Sequence, residues 1–401
     1  MKRRTAELPL HTGQAPPWLF DRMWRLAGAV TMAVVDEYGP AEMLRRLADP
    51  WWFQAFGCVL GFDWHSSGVT TVTCGALKEA HRRFGNDLGI LVAGGKGGTS
   101  RKTPTEIERI SDRLAISRGG DLVAASKTSA KVDSAGLQDG YELYAHSFFF
   151  TPAGEWCVVQ QGMNDATRYA RRYHWLGEAV GDFVCEPHNA IQDLSGSAAP
   201  GQEPDGQLLL NMVAAEADSN RAASAELVRW NPDKLMYEAR RLAGSREEGP
   251  SLFAPAHHSV LPADVNLDRL DRIVRTAHEH HPQDFQTLLG TPGVGAATVR
   301  SLSLLAELIY DAPSSHRDPA TTPAPELAEA PHRLAPVLAH RADKKWADYS
   351  YAHGGKDGHP HPVDRATYDT SIAVLTDAVR KARIGDSEKS QALKRLADYQ
   401  L

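Results

Sequence analysis

Asp63-Trp64-His65-Ser66-Ser67-Gly68 sets a carboxylate and an imidazole two residues apart in a dense polar segment between apolar ones. Such a pair can hold a metal ion or work as acid and base. Further histidines recur in the same half of the chain, at His11, His146, His174 and His188. Asp63, His65, His11 and His188 are the candidate ligands of a divalent metal, Mg²⁺ or Mn²⁺. Asp63, His65, Lys131, Asp133, His146 and His174 are the candidate catalytic residues, with Lys96, Lys102 or Lys131 neutralising developing charge. The alternative for any single histidine is a hydrogen-bonded core residue. Period-two counting sets His146 on the same strand face as Tyr144 and Phe148.

Lys127, Lys131 and Asp133, with Gln138, Asp139, Gln160 and Gln161, form a further polar set. Arg168, Arg171 and Arg172 interleave with Tyr169, Tyr173 and Trp175 ahead of and around His174. That mixture suits a nucleic-acid surface, through phosphate pairing and base stacking. It suits equally a solvated helix face packed by Tyr169 and Trp175. The loop Gly94-Gly95-Lys96-Gly97-Gly98-Thr99-Ser100-Arg101-Lys102 offers a glycine nest for an anion, completed by Lys96, Arg101 and Lys102. Lys102-Thr103 would close a GxxxxGK[ST] pattern, but Arg101 stands where its second glycine belongs, so ATP hydrolysis is not expected.

Thr291-Pro292-Gly293-Val294-Gly295-Ala296-Ala297-Thr298 follows Leu288-Leu289 and precedes Val299, Leu302, Leu304, Leu305 and Leu308 at helical spacing. This is the pattern of a helix-hairpin-helix motif. Two glycines allow the tight turn, and the second helix opens with unsatisfied N–H groups and a partial positive charge. A phosphate fits there without any base being read. Gly293, Val294, Gly295, Thr298 and Arg300, together with Lys96, Arg101, Lys102, Arg171 and Arg172, are the candidate contacts to duplex DNA. A purely structural hairpin is the alternative.

These residues need positioning. Pro16-Pro17 opens a helix from Trp18 to Tyr38, stopped by Gly39-Pro40, and a second helix covers Ala41 to Ala48. Leu88 to Ala93 reads as a buried strand. Thr103-Pro104-Thr105-Glu106 reads as a capping box that starts a helix. Tyr141 to Phe150 and Glu155 to Gln161 read as strands joined by a Thr151-Pro152-Ala153-Gly154 turn. Ser195 to Gln207 is a surface loop, and Asn211 to Arg229, Asp233 to Leu242 and Asp268 to His281 are helical. Ala243 to Asn266 is irregular, Pro319 to Ala342 is an Ala/Pro-rich insertion, and a closing helix runs from about Asp364 to Lys381. The fold expected is an α+β, or mixed α/β, N-terminal domain over 1–243, with a small sheet surrounded by helices. An all-α C-terminal domain over 264–401 carries the hairpin at about 284–310 and the insertion at about 319–342.

The chain has 401 residues, 42% hydrophobic, with a net charge of -6. That acidity is unusual for a protein that coats DNA non-specifically, confines any nucleic-acid surface to a local basic patch and favours a site-directed enzyme over a packaging protein. Cys58, Cys74, Cys157 and Cys185 show no metal-ligand spacing and point to a reduced cytoplasm. No run of about 18 apolar residues occurs, so no membrane span is expected.

The chain as a whole resembles an uncharacterised prokaryotic family, domain-of-unknown-function family 763. The resemblance rests on Leu8-Pro9-Leu10-His11, Ala15 to Phe20, Gly61 to Gly68, Ala93 to Gly97, Thr99 to Pro104, Ser129 to Asp133, Gln138 to Tyr141, Val159 to Asn164, Arg171 to Trp175 and Ala352 to Gly358. It departs at Pro319 to Ala342. It implies that these polar segments and the hairpin belong to one pattern, and it brings no activity with it. Separately, His353 to Asp364 holds three histidines and two aspartates that could bind metal. Pro362-Val363-Asp364 resembles the stretch after the hairpin in helix-hairpin-helix DNA glycosylases, although its distance from Gly295 is far longer than theirs; a plain helix cap at Asp364 is the simpler reading.

The function expected is a metal-dependent nuclease acting on DNA phosphodiesters in repair or defence. A glycosylase using Asp364, or a non-catalytic DNA-binding adaptor, are the alternatives. The partner is duplex DNA held by its backbone; a homodimer and a helicase or repair partner stay open.

Overall fold

The computed structural model describes residues 17–61, 67–165, 169–187, 209–244, 267–317, 376–382 and 385–397. Four helices come first: α1 (Pro17–Tyr38), α2 (Pro40–Ala48), α3 (Pro50–Leu60) and α4 (Gly68–Phe84). Met23, Leu26, Ala27, Val30 and Val34 form the buried stripe of α1. Gly39 ends it at φ +86°, its N–H returning to the Val35 carbonyl, and Pro40 opens α2.

The central sheet is antiparallel, in the order β1-β3-β4-β5, from β1 (Leu91–Lys96), β3 (Glu142–Phe150), β4 (Trp156–Asn164) and β5 (Tyr169–Leu176). A two-residue pair, β2 (Leu137–Gln138) with β6 (Leu210–Asn211), stands apart. The β3–β4 hairpin is as its alternation and turn residues predict. β1 begins later than Leu88, because Gly85–Leu88 closes a short 3₁₀ turn. Gly94 and Gly95, expected in a loop, are still strand, and Gly97–Lys102 is a 3₁₀ turn leading into α5 (Thr103–Leu114). α5 starts where the sequence places it, but without the reciprocal capping box. The Glu106 carboxylate accepts instead from Gly94 N–H at 2.8 Å and pairs with Lys78, whose ammonium also reaches the Gly94 carbonyl. This ion pair covers the open edge of β1, where unpaired backbone groups would otherwise invite another strand.

Each face of the sheet carries a helical layer. Val92, Phe149, Cys157, Val159 and Leu176 pack on α1–α4, joined by Ala378 and Val379 and by Ala392 of the last described helix. Leu91, Ala93, Phe148, Phe150, Val158, Tyr173 and Trp175 pack on α5, α6 (Gly119–Lys131) and the helices after the sheet. Those are α7 (Asp218–Leu227), α8 (Pro232–Gly244), α9 (Leu267–His280), α10 (Phe285–Gly290) and α11 (Ala296–Tyr310), with α12 (Asp386–Ala397) on the other side. Asn211 to Arg229 is helical only from Asp218; before it, Leu210–Asn211 pairs with β2. Of the expected closing helix, residues 376–381 are described and are helical.

Leu270, Val274, Phe285, Leu288, Leu289, Val294, Val299 and Leu302 belong to the same apolar cluster as the sheet residues. Among the described residues, α9–α11 of the span expected as a second domain, 264–401, thus pack in one apolar cluster with sheet residues of the span 1–243. No helix among them is long and apolar enough to cross a membrane.

The turn Thr291–Gly295 joins α10 to α11. Asp284 caps α10 reciprocally: its carboxylate accepts from Thr287 N–H at 2.7 Å, and the Thr287 hydroxyl accepts from Asp284 N–H at 3.1 Å. Asp284→Ala is expected to lower stability by about 1 kcal/mol, read from the urea midpoint at constant m. An unchanged midpoint would show that the cap contributes nothing.

Candidate functional site

The sheet is apolar at one end and polar at the other. The polar end takes in Gly94–Lys96 of β1, Glu142–His146 of β3, Gln160–Asn164 of β4 and Tyr169–Tyr173 of β5, which pair with one another in register. Side chains alternate along each strand, so neighbours in sequence serve different clusters.

On the α5–α11 face, His146 and Gln160 are cross-strand partners. His146 Nδ1–H donates to Gln160 Oε1 at 2.7 Å, and its Nε2 accepts from Ser126 Oγ at 2.9 Å. Gln160 Nε2 donates to the Ser129 carbonyl at 3.2 Å and to Asp133 Oδ2. Trp175 Nε1 donates to that same oxygen at 2.8 Å. Asp133 Oδ1 is buried with no hydrogen-bond partner. The result is a continuous relay, Ser126–His146–Gln160–Asp133–Trp175. Burial lowers the His146 imidazole to about 4, the Gln160 bond acting against it, so the ring is neutral and the tautomer is the one just described. Burial likewise raises the Asp133 carboxyl well above the usual range, with the Trp175 and Gln160 bonds opposing. Asp133 sits on a π-helical turn, Val132–Gly136, that continues α6; such turns are frequent at functional sites. Ser126 and His146 have the hydrogen bond of a nucleophile and its base, but both are buried.

The opposite face carries a second cluster. Gln161 Nε2 donates to the Ser67 carbonyl at 3.1 Å and to Tyr144 Oη at 2.5 Å, and its Oε1 accepts from Thr70. Arg172 donates to Gln54 Oε1 at 2.7 Å and to Thr70 Oγ1 at 3.3 Å, and lies 4.7 Å from the centre of the Phe53 ring. Tyr144 does not share the His146 face as period-two counting implies. A bulge between Leu143 and Ala145 turns it onto the Gln161 side, where the Lys96 ammonium lies 5.9 Å from its ring. The chain enters this cluster at Ser67, four positions after Asp63 and two after His65.

Asp63, His65, His11, His188, Asp364 and the Gly/His-rich stretch lie outside the described residues. Among the described residues, no three His, Cys, Asp or Glu side chains converge on a point where a metal could sit. Of the expected catalytic set, Asp133 and His146 are brought together through Gln160. His174 is not: it lies on the other face, its Nδ1–H donating to the Leu47 carbonyl at 2.9 Å and its ring edge-on to Phe53. Burial holds it well below the usual imidazole range, as suits a neutral core residue. Lys131 is directed away from the relay; its Nζ donates to the Val294 carbonyl of the hairpin turn.

The expected nucleic-acid contacts divide. Lys96, Arg101 and Lys102 are exposed, as are Gly293 and Arg300. Arg171 and Arg172 are buried, which removes them from any nucleic-acid surface. The stretch is a strand and not a helix, so the two guanidiniums leave on opposite faces. Arg171 pairs with Asp139 at 2.6 Å beneath Tyr141, and Tyr173 donates to the same carboxylate at 2.7 Å. Thr298 is also buried, so only its backbone is available. The glycine nest is partly filled from within, since Glu106 holds the Gly94 N–H.

In the hairpin, Gly293 takes φ +84°, Val294 N–H closes the turn on the Thr291 carbonyl, and the Val294 side chain is buried. Gly295 is the N-cap of α11 and supplies no side-chain acceptor to its first-turn amides. Read from sequence alone, Ser126, Thr70 and Gln54 have no role, and Ser129 enters only within a family segment. The signal that could have found their partners is Gln160-Gln161, two consecutive amides in an otherwise apolar strand.

The family described as "Protein of unknown function (DUF763)" matches residues 4–363. Comparison with curated proteins and with solved structures finds no match.

Proposed function

We propose that this chain, which belongs to the DUF763 family, is a DNA-processing enzyme that grips the sugar-phosphate backbone of duplex DNA through the α10–α11 hairpin. The reaction class we assign is phosphodiester hydrolysis, at the polar end of the sheet. One observation carries the reading: the turn at Gly293–Gly295 delivers uncapped first-turn amides of α11 beside an exposed arginine, Arg300. Backbone N–H groups at a helix start bind a phosphate by charge and geometry without reading sequence. The sequence pattern of apolar helix, two glycines and apolar helix supports a helix-hairpin-helix reading. A net charge of -6 agrees with a local grip in place of a basic coat.

Helix-hairpin-helix binding is tested by anisotropy of labelled duplex DNA with wild type and Gly293→Val. Valine at φ +84° is strained by about 1–3 kcal/mol, enough to displace the amides. A loss of affinity of about tenfold or more, with folding intact by circular dichroism, is expected. Equal affinity in the two proteins overturns the reading. Incubating the same duplex with Mg²⁺ or Mn²⁺, with and without chelator, then sorts the chemistry. Chelator-sensitive strand breaks support hydrolysis. Abasic sites without breaks support a glycosylase, and unaltered DNA supports an adaptor; either result overturns the hydrolytic assignment.

A further inference from the structure

We propose that the segment Lys131–Gln138 is the positioning element of the hairpin, with Lys131 and Gln138 fixing the turn whose amides meet the phosphate. The inference rests on α10–α11 being the DNA-binding element. Three contacts, all far apart in sequence, carry it. Lys131 Nζ donates to the Val294 carbonyl at the turn itself. Gln138 Nε2 donates to the Ala296 carbonyl at 3.0 Å, in the first turn of α11, and its Oε1 accepts from Arg300 Nε and Nη2 at 3.1 and 2.8 Å. Between these two anchors, Gly136 packs tightly on Val213, 3.2 Å from an added Cβ to its Cγ1, and lies at ordinary contact distance, 3.7 Å, from Leu289 of α10.

The geometry of the turn explains why both anchors take carbonyls. Each peptide presents its N–H and C=O in opposite directions. A carbonyl held inward at Val294 turns the following amide outward, toward the side where the α11 dipole is positive. Lys131 is half-buried, and burial lowers its ammonium below the usual lysine range, so its contact with the carbonyl is a charge-assisted bond in poor solvent. The same segment carries Asp133 inward to Gln160 and Trp175. One π turn therefore ties the hairpin to the polar end of the sheet, and it sets the distance between the backbone grip and the site that would act on it. Lys131 is thus a positioning residue and not a charge neutraliser in the reaction.

The test uses the full chain with Lys131→Met, Lys131→Arg and Gln138→Ala. Duplex DNA affinity, thermal melting and amide hydrogen exchange are measured on each. Lys131→Met is expected to weaken binding about tenfold and to speed exchange of the Val294 and Val299 amides. Exchange in β3 and β4 should not change, and melting should stay near wild type. Lys131→Arg, which keeps a cationic donor, is expected to restore both. Should Lys131→Met fail to fold, Gln138→Ala gives the same readout from the exposed edge of the contact. Wild-type affinity and exchange in the folded variants overturn the proposal, as does an equal loss in Lys131→Arg and Lys131→Met. If wild type itself shows no DNA binding, the reading of the hairpin fails. The exchange of Val294 and Val299 in the free protein then decides the clamp alone.

Discussion

Gly94→Ala is expected to cost on the order of 4 kcal/mol of stability, the largest effect of an added methyl among the described glycines. Two penalties combine. Gly94 has φ +89°, a backbone conformation that a side chain strains. A Cβ there would also lie 2.2 Å from the His146 carbonyl oxygen and 2.5 Å from Thr103 Oγ1. The first of these is backbone of the paired strand β3 and cannot move without opening the sheet at His146. Gly98→Ala is the matched control, because nothing lies within 4 Å of its added carbon. It should stay within about 0.5 kcal/mol of wild type. Urea unfolding of the two variants reads the difference directly. A Gly94→Ala midpoint near wild type would mean that β1 does not approach β3 as described. The glycine run is therefore explained in part by strand packing, and Gly94 takes no part in an anion nest.

Asp133→Asn should become progressively more stable than wild type as the pH rises. Asparagine keeps the acceptor that Trp175 and Gln160 use and carries no charge to bury. The Asp133 carboxyl is raised in the folded protein by burial. Above about pH 4 an unfolded aspartate has released its proton while the folded one still holds it. The folded state then binds more protons than the unfolded state, so wild-type stability falls with pH, by about 1.4 kcal/mol per unit for one group. The decline begins near the ordinary aspartate value and ends where the folded carboxyl finally ionises. The variant lacks it. Unfolding free energies of both proteins across pH 4 to 8 should diverge in favour of asparagine. Parallel curves would show that Asp133 is ionised in the fold, and that a cation compensates it.

The helices were legible because their apolar stripes repeat at the helical period and proline or glycine marks their ends, as at Gly39-Pro40. The β3–β4 hairpin was legible from alternation and its Pro152-Ala153-Gly154 turn. Arg171-Arg172 was not, because arginine is mostly exposed, and only tertiary partners such as Asp139 and Gln54 make its burial tolerable. The placing of Tyr144 failed at a bulge, which shifts the alternation by one residue without any residue type announcing it. At the candidate site His146, Asp133 and the two glutamines share one end of the sheet, all of them buried, and their burial was not legible from residue type. Which face each takes, and that His174 lies on the far side with Phe53 and Arg172, depends on strand register. The shared core of α9–α11 and the sheet also escaped the sequence, because apolar residues name no partner.

The two features to which the proposal assigns a function are mechanically linked. The hairpin turn is held by Lys131 and Gln138, and the same segment anchors Asp133 under the sheet. A duplex held at Val294 would thus lie at a fixed offset from the polar end. The most direct test is duplex DNA affinity measured as a function of salt. A hairpin that contacts two or three phosphates predicts that log Kd against log salt has a slope of about 2 to 3, indifferent to base sequence and largely lost in Gly293→Val. Binding that does not depend on salt, or that survives Gly293→Val with the same slope, would contradict it.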